Sequence, residues 1–373
     1  MTLDIFGDIK RKKPTTLHEK FLMLRDLEQL HEQRRIVEDW TDGFIDRDGK
    51  IVDDFQKQFH PSFWEFYLYA VFKELGLNID MTKDTPDFVV TEPYRINIEA
   101  VVPEIREKGR DESKRTLEES LGGFYPFTKE SLFQSMLDEA IERHSSAFCK
   151  KANKYYETYK KREWVNDDIP YVIALASFDQ VNYGREFYYP MMALLYGWYY
   201  NQETDGFINK KYSTKLSTGR PIDTALFEKD EYKHVSAVIY TCTLTLGKLT
   251  SLVHSKAGSF KGFNRVINIR HDTDFPNYKV QFVTPETPEL LTDGLFIFYN
   301  PNANVRIPQG LFAGSNIVEI EVDKMMKIHS ENLPLVARVN SANVFLPQNN
   351  LDILEMINRN YNFEAARKIP EKK

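Results

Sequence analysis

Three acids in an apolar stretch are the residues of this chain best placed to do chemistry. The run from Phe63 to Glu104 reads FWEFYLYAVFKELGLNIDMTKDTPDFVVTEPYRINIEAVVPE. It sets Glu65 among Phe63, Trp64, Phe66, Tyr67 and Leu68, Asp87 directly after Pro86, and Glu99 between Ile98 and Ala100. An ionised carboxylate among hydrocarbon is costly unless it is paired or bound to a cation. Eleven residues, 88–98, separate Asp87 from Glu99, which lets two antiparallel neighbours bring these acids side by side. Two or three converging carboxylates suit a hard cation such as Mg²⁺ (or Mn²⁺), with waters completing the octahedron. A cation so held activates water and stabilises charge building on a phosphoryl group. Taken singly, each acid also has an ordinary reading. Glu65 would be a solvated residue on an amphipathic helix, Asp87 a turn residue, and Glu99 a strand residue facing water.

The elements that must position these acids are legible around them. PSFWEFYLYAVFKELG reads as a helix, with Pro61 in its first turn and Gly76 just past its end. LNIDM, DTPDFVV and YRINIEAVV read as three strands, the last with Ile96, Ile98 and Ala100 alternating against Arg95, Asn97 and Glu99. A charged, glycine-containing excursion covers 104–130. A long helix follows over 131–161, then a buried strand, PYVIALAS. A tyrosine-rich helical patch (EFYYPMMALLYGWYYNQ) precedes a polar loop at 201–233. Further strands are expected at HVSAVIYTCTL, YKVQFVT, LFIFYN and NIVEIEV, and a short helix near LDILEMINRNY. This order implies an α/β fold with a central mixed β-sheet flanked by helices. It divides into a helical lead-in at 1–58, a core at 59–200, and C-terminal strands and helix at 201–373 that continue the same domain.

A helix bearing Glu, a short strand, "PD" opening the next strand and "IE" ending the one after it resemble the PD-(D/E)XK nuclease superfamily over roughly residues 60–176. The resemblance implies a restriction-endonuclease-like core and a metal-dependent nuclease, with Glu65, Asp87 and Glu99 holding one or two Mg²⁺ ions. It also implies a lysine two residues after the last acid to orient or help deprotonate the attacking water. Here that position is Val101. In such families the lysine migrates, often onto the next helix, and KKANKYY (150–156) offers candidates. At about 100° per residue, Lys151 lies inside the apolar sector, Lys154 lies close to it and Lys150 lies at its margin. The same stretch is similar to the superfamily's QxxxY pattern, with Lys151 for Gln and Tyr155 matching. Lys154, with Lys150 as its i+4 neighbour, is the expected catalytic pair, against the alternative that these lysines snorkel to water. SFKGFNRV and FYNPNANVRIPQGLF are similar to segments of bacterial proteins carrying this core, which implies a role in anti-phage or restriction-type defence. The rival reading, motivated by Val101, is a catalytically degenerate subunit that binds nucleic acid or protein as a scaffold.

Other chemistries find little support. The 373 residues carry a formal net charge of −6, which argues against coating nucleic acid through bulk electrostatics. It leaves room for local phosphate contacts, and for a protein partner. Lys261 and Arg265 in FKGFNR are candidate phosphate contacts, as are the basic runs at 10–13 and 210–220. Duplex DNA is the favoured partner over RNA, and cutting both strands would call for a homodimer. The eight histidines show no HxxxH or HExxH spacing, so no zinc site is expected. His60 and His144 could approach the acids, but a structural role is expected for each. No P-loop, GxGxxG or GxSxG motif is present. Two cysteines, no 18-residue apolar run and no signal-like opening make a cytoplasmic, non-membrane protein the expectation.

Overall fold

Alternation along two adjacent strands decides the layering. In the computed structural model, which describes residues 3–10, 15–105, 109–129, 132–178, 184–216, 218–258, 264–272, 277–308, 310–323, 325–342 and 347–366, the chain begins with helices α1 (Glu19–Asp26), α2 (His31–Trp40), α3 (Ile51–Lys57) and α4 (His60–Glu74). Strands β1 (Asn78–Ile79), β2 (Phe88–Glu92) and β3 (Ile96–Val101) follow. The short α5 (Leu117–Leu121) and the long α6 (Phe133–Glu157) lead to β4 (Tyr171–Ala176) and α7 (Tyr189–Tyr196). Ile96, Ile98 and Ala100 of β3, and Val172, Ala174 and Ala176 of β4, join the apolar residues of α4 in one core. Tyr171, Ile173 and Leu175 of β4 point the other way, into a second core with α6 and α7. Because side chains alternate across a strand, Asn97 and Glu99 share the face that α6 covers.

The segment expected as a polar loop folds into two hairpins, β5 (Trp198–Asn201) with β6 (Gly206–Asn209), and β7 (Tyr212–Thr214) with β8 (Pro221–Asp223). Then come β9 (Val235–Thr241), α8 (Leu246–Ser255), β10 (Asn264–His271), β11 (Tyr278–Phe282), β12 (Phe296–Tyr299), β13 (Val318–Val322), β14 (Met326–His329), β15 (Leu335–Ala342) and α9 (Pro347–Ala366). The main sheet is eight-stranded in the order β1-β2-β3-β4-β9-β12-β13-β14. It is mixed: β3-β4, β4-β9 and β12-β13 are parallel and the other pairs antiparallel. Strands from 59–200 and from 201–373 therefore share one sheet.

A second, three-stranded sheet, β11-β10-β15, departs from the sequence expectation. Neither β10 nor β15 reads as a strand, because Asn268, Arg270 and Arg338 interrupt their apolar residues. All three are buried in an ion network. Glu289 accepts from Lys248 at 2.8 Å, from Arg338 at 2.6–2.9 Å, from Asn268 at 2.9 Å and from the Ser251 hydroxyl. Arg270 grips Asp293 in two-pronged fashion at 2.9 and 2.7 Å. Paired in this way, charged residues line a core that alternation alone assigns to water.

α4 is the rod that carries Glu65. Pro61 fits its first turn, where no intrahelical donor is needed. At the other end Gly76, at φ +71°, closes a Schellman motif: its amide donates to Lys73 and that of Leu77 to Phe72. The helix is buried almost all round, and the Trp64 indole donates to the Ala174 carbonyl at 3.0 Å, pinning its middle to β4.

Candidate active site

The strand register supplies the first contact. Phe88 pairs with Ile98 and Val89 with Asn97, so continuing the ladder one residue sets Asp87 across from Glu99. The Asp87 carboxylate accepts the Ala100 amide at 2.7 Å, which fixes it over the end of β3. Thr85 and Pro86, just before it, are held from two sides. Trp164 Nε1 donates to the Thr85 carbonyl at 2.8 Å, and Arg47, from the turn before α3, donates to the Lys83 and Pro86 carbonyls.

Glu99 is 1% exposed, yet it lies against two lysines of α6. Lys151 Nζ contacts its Oε1 directly and Lys154 Nζ lies 3.3 Å from the same oxygen. Lys154 is steadied by the Tyr159 ring, whose centroid is 5.0 Å from its ammonium. Glu99 Oε2 and both polar atoms of the buried Asn97 have no hydrogen-bond partner among the described residues. Buried polar atoms are normally satisfied, so this strip of β3 is short of a donor or a cation.

The electrostatics point the same way. Burial raises the Glu65 carboxyl well above its ordinary range; Asp87 and Glu99 add to this, and Arg47 and Lys151 only partly offset it. Asp87 is pushed up to about 7 by burial and by Glu99, against the pull of Lys151, the Ala100 amide and Arg47. Burial would strip the proton from Lys151, but Glu99 and Asp87 outweigh it and hold the amine as ammonium. Burial and Glu99 keep the Tyr159 phenol protonated. Like-charged carboxyls in a desolvated space drive one another toward the neutral form.

The chain thus brings Glu65, Asp87, Glu99, Lys151 and Lys154 into one electrostatic unit, with α4 on one side of the sheet and α6 on the other. The other residues singled out from sequence lie elsewhere. Lys150 is turned away, 3.7 Å from Glu104, with both side chains largely exposed. Arg265 lies on β10 in the second sheet, opposite Ser341. Lys261 lies outside the described residues. His144 is buried beside Tyr240, ring centroids 5.5 Å apart, and the tyrosines of α7 are core residues. Arg47 and Asn97 were not signalled by any local motif. Lys151 was, by its place inside the apolar sector of α6.

Among the described residues, one trio of His, Cys, Asp or Glu side chains has its ligand atoms within 4.8 Å of one another, and it is not the acid trio: it is His18, His60 and Glu112. The three acids share a field without closing to that distance. Among the described residues, no helix is long and apolar enough to cross a membrane. No family model, curated protein or solved structure matches the chain.

Proposed function

We propose that this chain is a metal-dependent nuclease that hydrolyses phosphodiester bonds, in the manner its sequence resemblance to the PD-(D/E)XK superfamily implies. One observation carries the reading. A buried Glu99 with an orphaned oxygen sits across from Asp87, within the field of Glu65, and carries two lysine ammonium groups on its other oxygen. That donor chemistry fits Mg²⁺ or Mn²⁺, which take carboxylate oxygens and keep several waters. Asp87 and Glu99 would hold such an ion, with Glu65 next to Asp87. When bound, the ion supplies an activated water and positive charge at the phosphoryl centre.

The chain's own residues do the rest. Lys151, held as ammonium, fixes the rotamer of Glu99 and offers a proton donor beside the reacting phosphate. Lys154, nearly half exposed, reaches toward the surface where a phosphate backbone would lie. In this reading Lys151 takes the role that Val101 vacates. Duplex DNA as substrate, a dimeric state and a place in anti-phage defence belong to the same proposal.

The test is cleavage of plasmid DNA and of total RNA by purified protein in Mg²⁺, Mn²⁺ or EDTA, beside Asp87→Asn. Metal-dependent cutting of DNA that the variant loses while keeping its fold is the expected result. Cutting retained by folded Asp87→Asn overturns the assignment, and no cutting by the wild type in any metal moves the reading to a scaffold.

A further inference from the structure

A cavity of about 720 Å³ opens at the carboxyl ends of β4 and β9, away from the acid site. Its wall includes His18, Glu112, Arg185, Thr243 and Gly247. Three distant pieces of chain converge at its edge. His18 caps the N-terminus of α1, His60 is the first residue of α4, and Glu112 opens a short turn in the excursion after β3. His60 Nε2 lies 2.9 Å from one Glu112 oxygen and Lys20 Nζ binds the other. The His18 and His60 rings meet edge to face, 5.2 Å between centroids.

We propose that His18, His60 and Glu112 form a second cation site, for a zinc-type ion, with its open coordination position facing this cavity. Two imidazoles and one carboxylate with a fourth position left open are the donor set of zinc sites that do chemistry. Mg²⁺, which prefers oxygen ligands, is disfavoured there. Ligand atoms within 4.8 Å of one another leave small side-chain adjustments to reach bonding distance. Burial is severe for His60, 3% exposed, and keeps its imidazole neutral, while His60 and Lys20 keep Glu112 ionised. Because His60 Nε2 donates to the ionised Glu112, its proton must move to Nδ1 before Nε2 can bind a metal.

Binding has visible costs. The ion replaces the His60–Glu112 hydrogen bond. His18 Nδ1 accepts the Lys20 amide at 3.1 Å, so ligation through Nε2 shifts the proton from Nε2 to Nδ1 and gives up that helix cap. Lys20 stays as a partner to the second Glu112 oxygen, the kind of outer support that tunes metal sites.

The experiment is zinc retention. Chelator-stripped full-length protein is dialysed against ZnCl₂ and then buffer, and bound metal is counted by mass spectrometry. CoCl₂ is loaded in parallel for its visible absorption. The expected result is one retained zinc per chain and a tetrahedral cobalt spectrum. Glu112→Gln should weaken retention by at least about 10–100-fold, the loss that changing even an outer partner brings. So should His18→Asn, chosen because Asn still caps a helix. Asp87→Asn should retain zinc as the wild type does, which separates this site from the nuclease reading. A folded wild type that keeps no zinc, or retention unchanged in both folded donor variants, overturns the proposal. So does zinc lost in Asp87→Asn and kept in Glu112→Gln.

Discussion

Glu289 and Glu99 are both buried glutamates that meet cations, and they are finished differently. Glu289 has both oxygens occupied, by Lys248, Arg338, Asn268 and Ser251. Burial opposes its charge, but Arg338 and Lys248 overcome this and hold the carboxyl far below its ordinary range. Glu99 has one oxygen crowded by two lysines and the other orphaned, and its carboxyl neighbours Glu65 and Asp87 are driven toward protonation. The filled ion network around Glu289 ties the second sheet to α8. The open one around Glu99 stores unfavourable electrostatics, which the proposed cation would relieve.

The contrast can be broken most decisively at Lys151. Lys151→Met should lower phosphodiester cleavage by about 10²–10⁴-fold without a matching loss of stability. Lys150→Ala, a pair with exposed Glu104, should stay within about twofold, since exposed pairs contribute little; initial rates on plasmid DNA decide both. Next in size, Glu289→Ala should cost about 3–5 kcal/mol by denaturant unfolding, because it strands Arg338 and Lys248 inside the protein. Glu99→Ala should cost clearly less, because it also relieves the repulsion on Glu65 and Asp87 and Lys154 is nearly half exposed. Equal costs for the two would erase the distinction.

pH sharpens it further. The folded pKa of Glu289 is depressed from an ordinary 4.5, so the stability it contributes is complete above that value. It is lost progressively as pH falls below it. Unfolding midpoints measured from pH 7 down to 3 should drop steeply in the wild type and less steeply in Glu289→Gln. The smallest effect concerns Val101. Adding Val101→Lys to Lys151→Met should recover about tenfold in rate if a lysine from β3 can reach Glu99 as one from α6 does. No recovery would mean that the approach from the helix matters.

How much of this was legible depends on the reach of each contact. Asp87 facing Glu99 follows from an eleven-residue separation and a two-residue period, both local quantities. The α4 boundaries follow from Pro61 and Gly76. The choice among helix lysines turned on a 100° step: Lys150 and Lys151 are neighbours in sequence, yet one meets Glu104 and the other Glu99. β10 and β15 were missed because Asn268, Arg270 and Arg338 look solvent-facing until Glu289 and Asp293 are known to wait for them. The His18, His60 and Glu112 convergence lies beyond any motif search, since its members stand 42 and 52 positions apart. No local period encodes such distances.

The crossover between β4 and β9 has a consequence for how the molecule is made. These parallel neighbours are joined through residues 177–234, and contacts at such separations form late and slowly. The acids and the α6 lysines are complete once residue 176 has been synthesised, whereas the cavity wall waits for Arg338 and Asn340. At about 5–20 residues per second the ribosome leaves roughly ten to thirty seconds between the two. During that interval the chain holds the acids and the α6 lysines together with a bare β4 edge, the one that β9 will cover.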